Sequence, residues 1–345
     1  MKEIDLKGEI YLKNQNAWAL AETIILHNFR KLIIDYGNKI FKELDTLSPL
    51  NKILTYGEMM ERIKEIYRKY SNFLDYQTIG VSHDGRKIPM LKIGYGEKCL
   101  ICSGGVHGRE SINPTILLEI LESYLRCYQE GQVIDGKYDI CHFLDTCSIC
   151  MIPVLNPDGH VIAMEGFEEI KDEILREKIV SRNIPYEEWK FNGRGIDVNR
   201  NFPCASFNSQ ASSRWAGSEN ETKALINVFN ENDTIAYIDF HSRGEVIYYY
   251  RSAMPYAYNQ KCKNLALCLQ EITGYDLGNQ EEEFSDVLSG GNTVNFYSEN
   301  FKKPAITIET LPYEAGFPLQ DKYLKDTYWE IYLVLLEVIK RQIFT

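Results

Sequence analysis

The chain has 345 residues, 44% of them hydrophobic and 25% charged, ordinary proportions for a globular protein long enough to bury a large core. Its net charge of -11 argues against nucleic acid and anionic membrane surfaces as partners, since basic patches meet both. The N-terminus has no basic head followed by an apolar stretch, and no uncharged apolar run reaches the ~20 residues of a membrane helix, so a soluble, cytoplasmic protein is expected.

Residues 1–53 carry no usable motif and are set apart as an N-terminal extension, with a helical pattern over Trp18–Leu44 and a break at Ser48-Pro49. A single domain is expected over 54–345. It opens on a capping box, Thr55 with Glu58 three later, ahead of a helix whose Met59, Ile63, Ile66, Tyr67 and Tyr70 share one face. Tyr76–Ile93 alternates and turns at His83-Asp84-Gly85, the pattern of a hairpin. Asn113–Cys127 predicts a helix with Leu117, Leu118, Leu121 and Leu125 inward. Glu165–Ile184, rich in Glu, Lys and Arg, reads as a solvated helical excursion, and Tyr328–Ile339 as an amphipathic C-terminal helix. Strand-like runs alternating with helical ones predict an α/β fold with a mixed, mostly parallel central sheet flanked by helices.

Four apolar runs end in polar groups capable of chemistry. Leu100–Val106 leads into His107, Ser148–Leu155 into Asn156-Pro157-Asp158-Gly159, Thr234–Phe240 into His241-Ser242, and Pro304–Ile308 into Glu309-Thr310. In open α/β sheets ligands bind outside the carboxyl ends of the strands, so the four termini predict one shared site. His107 and Glu110 stand three apart, a spacing suited to a metal although weak alone. The nine cysteines are an odd number and several fall inside apolar runs, which favours free thiols. Cys147 and Cys150 lie three apart in one strand and so point to opposite faces.

The motifs together resemble the carboxypeptidase A-like zinc peptidases. Thr55-Tyr56, Gly105-x-His107-x-x-Glu110, Asn156-Pro157-Asp158-Gly159, Gly195-Ile196-Asp197-Val198-Asn199-Arg200-Asn201-Phe202-Pro203, His241-Ser242 and Thr307-Ile308-Glu309 follow in the family's order over residue 54 to the C-terminus. Trp189-Lys190 and Lys303-Pro304-Ala305 look most like the bacterial branch that cleaves γ-D-glutamyl-diaminopimelate bonds of peptidoglycan peptides.

The resemblance implies that His107, Glu110 and His241 hold one Zn²⁺ and that Glu309 is the general base. Asn199 and Arg200 would receive the free C-terminal carboxylate of a peptide substrate. Asp158 is expected to orient His107, and Asp197 to be a supporting carboxylate. Two positions depart from the family. Lys190 stands where many relatives carry the oxyanion arginine, so Lys190, Arg194 and Arg243 all remain open for that task. Asp286 falls where a mobile tyrosine is expected. General carboxypeptidase action on α-peptides, N-acyl amino acid deacylation and a silent peptide-binding module are the competing readings. The oligomeric state is left open.

Overall fold

A computed structural model describes residues 50–210, 215–279 and 290–344. The expectations for residues 1–49 of the N-terminal extension and for Asp286 lie outside these. Leu50–Thr345 forms one compact unit.

The predicted capping box is present: Thr55 Oγ1 accepts from Glu58 N while Glu58 Oε2 accepts from Thr55 N, starting the helix Tyr56–Tyr70. Met59, Ile63, Ile66 and Tyr70 are buried on its inner face, but Tyr67 is 42% exposed and turns outward. The hairpin follows as β1 (Leu74–Val81) and β2 (Lys87–Ser103), paired antiparallel. β2 is the spine of the sheet. Its first half pairs with β1, and its second half runs parallel both to β5 (Cys147–Ile152) and to β6 (Asp233–Ser242). Between the halves the register shifts at Gly94, where φ is +91° and a Cβ would sit 2.5 Å from Leu144 O.

A minor hairpin of β3 (Val133–Ile134) and β4 (Tyr138–Asp139) lies apart. On the far side of β6, β9 (Ala305–Thr310) is parallel to it, β7 (Val246–Tyr248) is antiparallel to β9, and β8 (Asp276–Leu277) is parallel to β7. Among the described residues the result is a seven-stranded mixed sheet whose centre, β5-β2-β6-β9, is parallel.

Alternation along the central strands supplies two faces. Leu100, Cys102, Ile149, Met151, Ile238 and Ile308 join the larger core, with helices Ile112–Glu130, Tyr256–Thr273 and Val334–Ile343. Cys99, Ile101, Cys150, Ile152 and Tyr237 face the opposite way, against helices Asn220–Glu231 and Thr293–Phe301. Cys147 and Cys150 therefore separate as expected, and Cys150 Sγ lies 2.9 Å from Cys99 Sγ on the neighbouring strand. All nine cysteines are unpaired by disulfides.

Two expectations change. The charged excursion carries a 3₁₀ turn, Phe167–Glu169, and one short α-helix, Glu173–Val180, and its Ile170 and Ile179 are buried with Trp189 in a third small core, so hydrophobic residues hidden among the charges dock it. The C-terminal pattern forms two helices, Leu324–Ile331 and Val334–Ile343. Among the described residues no helix is long and apolar enough to cross a membrane.

Candidate metal centre and active site

Beyond β2 the chain turns through Gly104–Val106 to His107, and this turn is fixed by the neighbouring strand's end. Asn156 Nδ2 donates to Val106 O and Phe191 O, each at 3.1 Å, while its Oδ1 accepts from Gly159 N at 2.9 Å. Gly108 lies so close to this turn that a Cβ would sit 2.2 Å from Gly159 O. The helix Ile112–Glu130 starts just after Glu110, and its Asn113 donates to His241 O at 2.8 Å and accepts from Thr310 Oγ1 at 2.9 Å. One buried amide thus ties the Glu110 segment to the ends of β6 and β9.

The three expected ligands meet. His107 Nδ1 lies 2.7 Å from Glu110 Oε1, and His241 Nδ1 lies 3.0 Å from Glu110 Oε2. Ser242 N also donates to Glu110 Oε2 at 3.1 Å. The outer ring nitrogens meet carboxylates: His241 Nε2 is 3.0 Å from Asp239 Oδ2, and His107 Nε2 is 3.3 Å from Asp197 Oδ1 without an aligned hydrogen bond. The expectation for Asp158 is corrected here. Its carboxylate is occupied by Ser82 Oγ, Asp84 N and Arg86 Nη1, holding the β1–β2 turn, and Asp197 stands behind His107 instead. Asp239 itself accepts from Ser103 Oγ and is approached by Thr293 Oγ1.

Burial disfavours charge on every member of this group, and the electrostatics show how far the neighbours offset it. Against that burial, His107 and His241 hold Glu110 well below the usual carboxylate range, while flanking carboxylates raise both imidazoles. With both imidazoles neutral, as metal ligation requires, the cluster has an excess of negative charge that suits a divalent cation. Two imidazole nitrogens and a carboxylate, all within 4.8 Å of one another and supported from behind by carboxylates, fit zinc in both donor type and number.

Glu309 pairs with His241 across the parallel strands β6 and β9. Burial pushes its carboxyl up to about 7; His241 opposes the shift and Glu110 adds to it. Asn199 and Arg200 lie on a single turn, Val198–Arg200, whose Asp197 side chain accepts from Asn199 N. Asn199 Oδ1 accepts from Thr293 N at 3.1 Å, and Arg200 donates through Nη1 to Asn199 O while its charge helps to hold the Asp197 carboxyl low. The three oxyanion alternatives separate. Lys190 Nζ is 2.7 Å from Asp197 Oδ2, beside the centre, with its side chain 34% exposed. Arg194 is drawn to Glu219 Oε1 at 3.3 Å, and Arg243 lies over the rings of Tyr313 and Phe317. His160, which follows the Asn156–Gly159 turn, is buried against Leu54 O and takes no part.

A second group has similar composition: His83, Glu219 and Glu221, also within 4.8 Å. Here Asn192 Nδ2 donates to Glu219 Oε2 at 2.8 Å and to Glu221 Oε2 at 3.2 Å, and Ser218 and Arg194 fill Glu219 Oε1. The amide already bridges the two carboxylates that a cation would need, so this group reads as a structural strut. Its residues, with Asn113 and Asp239, were missed by sequence reasoning. Only Asp239 left a signal, since it lies two before His241 and so shares its face of β6.

The model of the zinc carboxypeptidase family matches residues 59–332. The gamma-D-glutamyl-L-diamino acid endopeptidase 1 of Lysinibacillus sphaericus is 24% identical over 269 residues, 74% of this chain and 64% of that protein, so the chain spans less than two thirds of its length. An inactive metallocarboxypeptidase of Paracoccidioides brasiliensis is 26% identical over 214 residues, 55% of this chain and 32% of its own. Bovine thrombin-activatable fibrinolysis inhibitor, solved with tick carboxypeptidase inhibitor, superposes with a TM-score of 0.67 at 20% identity, covering 86% of this chain and 99% of that one. By the breadth of the family match, together with the order of its motifs, the chain belongs to the zinc carboxypeptidase family.

Proposed function

We propose that the chain is a zinc-dependent peptidase that releases a C-terminal residue from murein-derived peptides by hydrolysing a γ-D-glutamyl-diaminopimelate bond. The catalytic part is assigned to residues 54–345, with 1–53 as an extension. The observation that carries the reading is the convergence of both imidazole Nδ1 atoms on Glu110, with Glu309 in register beside His241. His107, Glu110 and His241 would hold the ion, which supplies a Lewis acid for the scissile carbonyl and acidifies water.

Glu309 takes the proton from the attacking water and passes it to the departing amine; its raised carboxyl is suited to both halves of that transfer. A bound dication would draw that value down. Asn199 and Arg200 bind the terminal carboxylate, Arg200 through the guanidinium edges left free by its one backbone contact. Lys190, held by Asp197, brings positive charge to the developing oxyanion, and the commitment of Arg194 to Glu219 favours Lys190 over it. The γ-glutamyl bond is supported by the name of the Lysinibacillus relative and by the Trp189-Lys190 and Lys303-Pro304-Ala305 likeness.

The test is product release, followed by mass spectrometry, from L-Ala-γ-D-Glu-meso-diaminopimelate beside an α-peptide with a hydrophobic C-terminus. The murein peptide is expected to be cleaved, and Glu309→Gln to lower kcat by about 10²–10⁴ while retaining zinc. Cleavage of the α-peptide alone would replace this reading with a general carboxypeptidase. Zinc-loaded enzyme inert on both would leave deacylation or silent binding.

A further inference from the structure

Two arginines near the metal centre are left without work by the proposed reaction. Arg109 stands between His107 and Glu110, and Arg243 directly follows His241-Ser242. Both reach the same ring: the Arg109 guanidinium carbon lies 4.5 Å from the centroid of Phe317 and that of Arg243 lies 5.4 Å from it, with Tyr313 a further 4.9 Å from Arg243. Arg109 Nε is buried with no acceptor. Neither guanidinium has a carboxylate partner or a hydrogen bond among the described residues.

This arrangement is unfavourable without a ligand. An aromatic face attracts a guanidinium but leaves its N–H edges unsatisfied. Like charges gathered at one ring also repel, and a buried donor without an acceptor carries a desolvation cost. Arg194, Arg86 and Arg200, by contrast, each have an acceptor: Glu219, Asp158 and the Asn199 carbonyl respectively. A planar anion shared by Arg109 and Arg243 would satisfy both forks.

The leaving residue's carboxylate is already assigned to Asn199 and Arg200, on a different segment backed by Thr293. A further anionic group is then either the second carboxylate of the diaminopimelate or a carboxylate on the acyl portion; Arg109 and Arg243 stand on the segments that carry the metal ligands and not on the Val198–Arg200 turn, which favours the acyl portion. We infer that Arg243 and Arg109, stacked on Phe317, form a second carboxylate site that selects substrates with an acidic group on the acyl side of the scissile bond. The inference rests on the proposed peptidase reading and deepens it: a γ-linked glutamyl residue keeps its α-carboxylate free, whereas an α-linked residue with a neutral side chain offers none.

The experiment compares kcat/KM of the zinc-loaded full chain with Arg243→Ala and Arg243→Lys on two matched pairs. One pair is L-Ala-γ-D-Glu-diaminopimelate and its α-amide. The other is an α-linked N-acyl-Glu peptide and its Gln counterpart. Dissociation constants for all four, measured by calorimetry on Glu309→Gln, provide the same comparison where turnover is absent. The acid is expected to be preferred over the amide by about tenfold or more, as for a charge-assisted contact. Arg243→Ala should bring that ratio near one and Arg243→Lys should fall between, at an unchanged melting temperature. No acid preference in wild type, or an equal loss on both members of a pair in Arg243→Ala, would overturn the site. An inert γ-linked pair beside an acid-preferring α-linked pair would remove the γ-bond assignment and leave the carboxylate site standing. Turnover of the γ-linked pair without preference would do the reverse.

Discussion

Among the described residues two groups are built from histidine and glutamate, His107–Glu110–His241 and His83–Glu219–Glu221, each with its ligand atoms within 4.8 Å of one another. They differ in what lies between and behind those atoms. In the first, both imidazoles direct Nδ1 at one carboxylate and rest their outer nitrogens near further carboxylates, leaving a surplus of negative charge. In the second, the Asn192 amide bridges the two glutamates, and Arg194 and Ser218 complete one of them. Residue type and spacing are therefore insufficient to define a metal site. A donor at the centre turns the same side chains into a strut.

Exchanging ligands gives the largest contrast. Glu110→Ala is expected to lose bound zinc and to lower kcat/KM by about a thousandfold or more, whereas His83→Ala keeps one zinc per chain. Metal analysis after dialysis decides it, and equal loss in both variants would break the comparison. The neighbouring cations should divide in the same way. Lys190→Gln is expected to lower kcat by roughly a hundredfold, as for removal of an oxyanion donor, and Arg194→Gln to act mainly on the melting temperature. A reversed order would give the oxyanion task to Arg194.

The strut can then be probed alone. Asn192→Leu leaves two buried carboxylates facing each other without their shared donor, a loss of about 2–3 kcal/mol in urea unfolding. The smallest effect sharpens the comparison by its sign. Burial pushes the carboxyl of Glu221 up to about 7 from 4.5, so the folded protein keeps a proton that the unfolded chain releases. The stability this group provides is complete below pH 4.5 and is lost as pH rises through 7. Glu221→Gln should thus be more stable than wild type at pH 8, on the order of 1–2 kcal/mol, and indistinguishable at pH 4. Glu219 runs oppositely: burial would raise its carboxyl, but hydrogen bonds from His83, Ser218 and Asn192 lower it to about 2. Its contribution is present above pH 4.5 and disappears as pH falls through 2.

The site was legible wherever the sequence places chemistry at the end of an apolar run. His107, His241 and Glu309 each follow such a run, and the sheet brings them together because β2, β6 and β9 are parallel neighbours. The first helix was equally plain, since its capping box is a local device. Supporting groups were not legible, because their partners are remote in sequence. Asp158 is next to a motif and was assigned to His107, yet its partners come from the β1–β2 turn. Asn113 joins three elements through one amide, which no periodicity encodes. The docking of the charged excursion rests on Ile170 and Ile179, two apolar residues whose significance appears only once Trp189 is placed beside them.

The position of β2 at the centre of the sheet has a consequence for how the chain reaches its final state. Its pairing with β1 closes only a short turn, so that contact can form early. The contact between Glu110 and His241 spans 131 residues and waits for β6 to close a long loop. A zinc ion in a refolding mixture consequently finds its full set of donors only on chains that have completed this closure. Metal uptake can serve as a clock for this closure, lagging behind the return of local secondary structure.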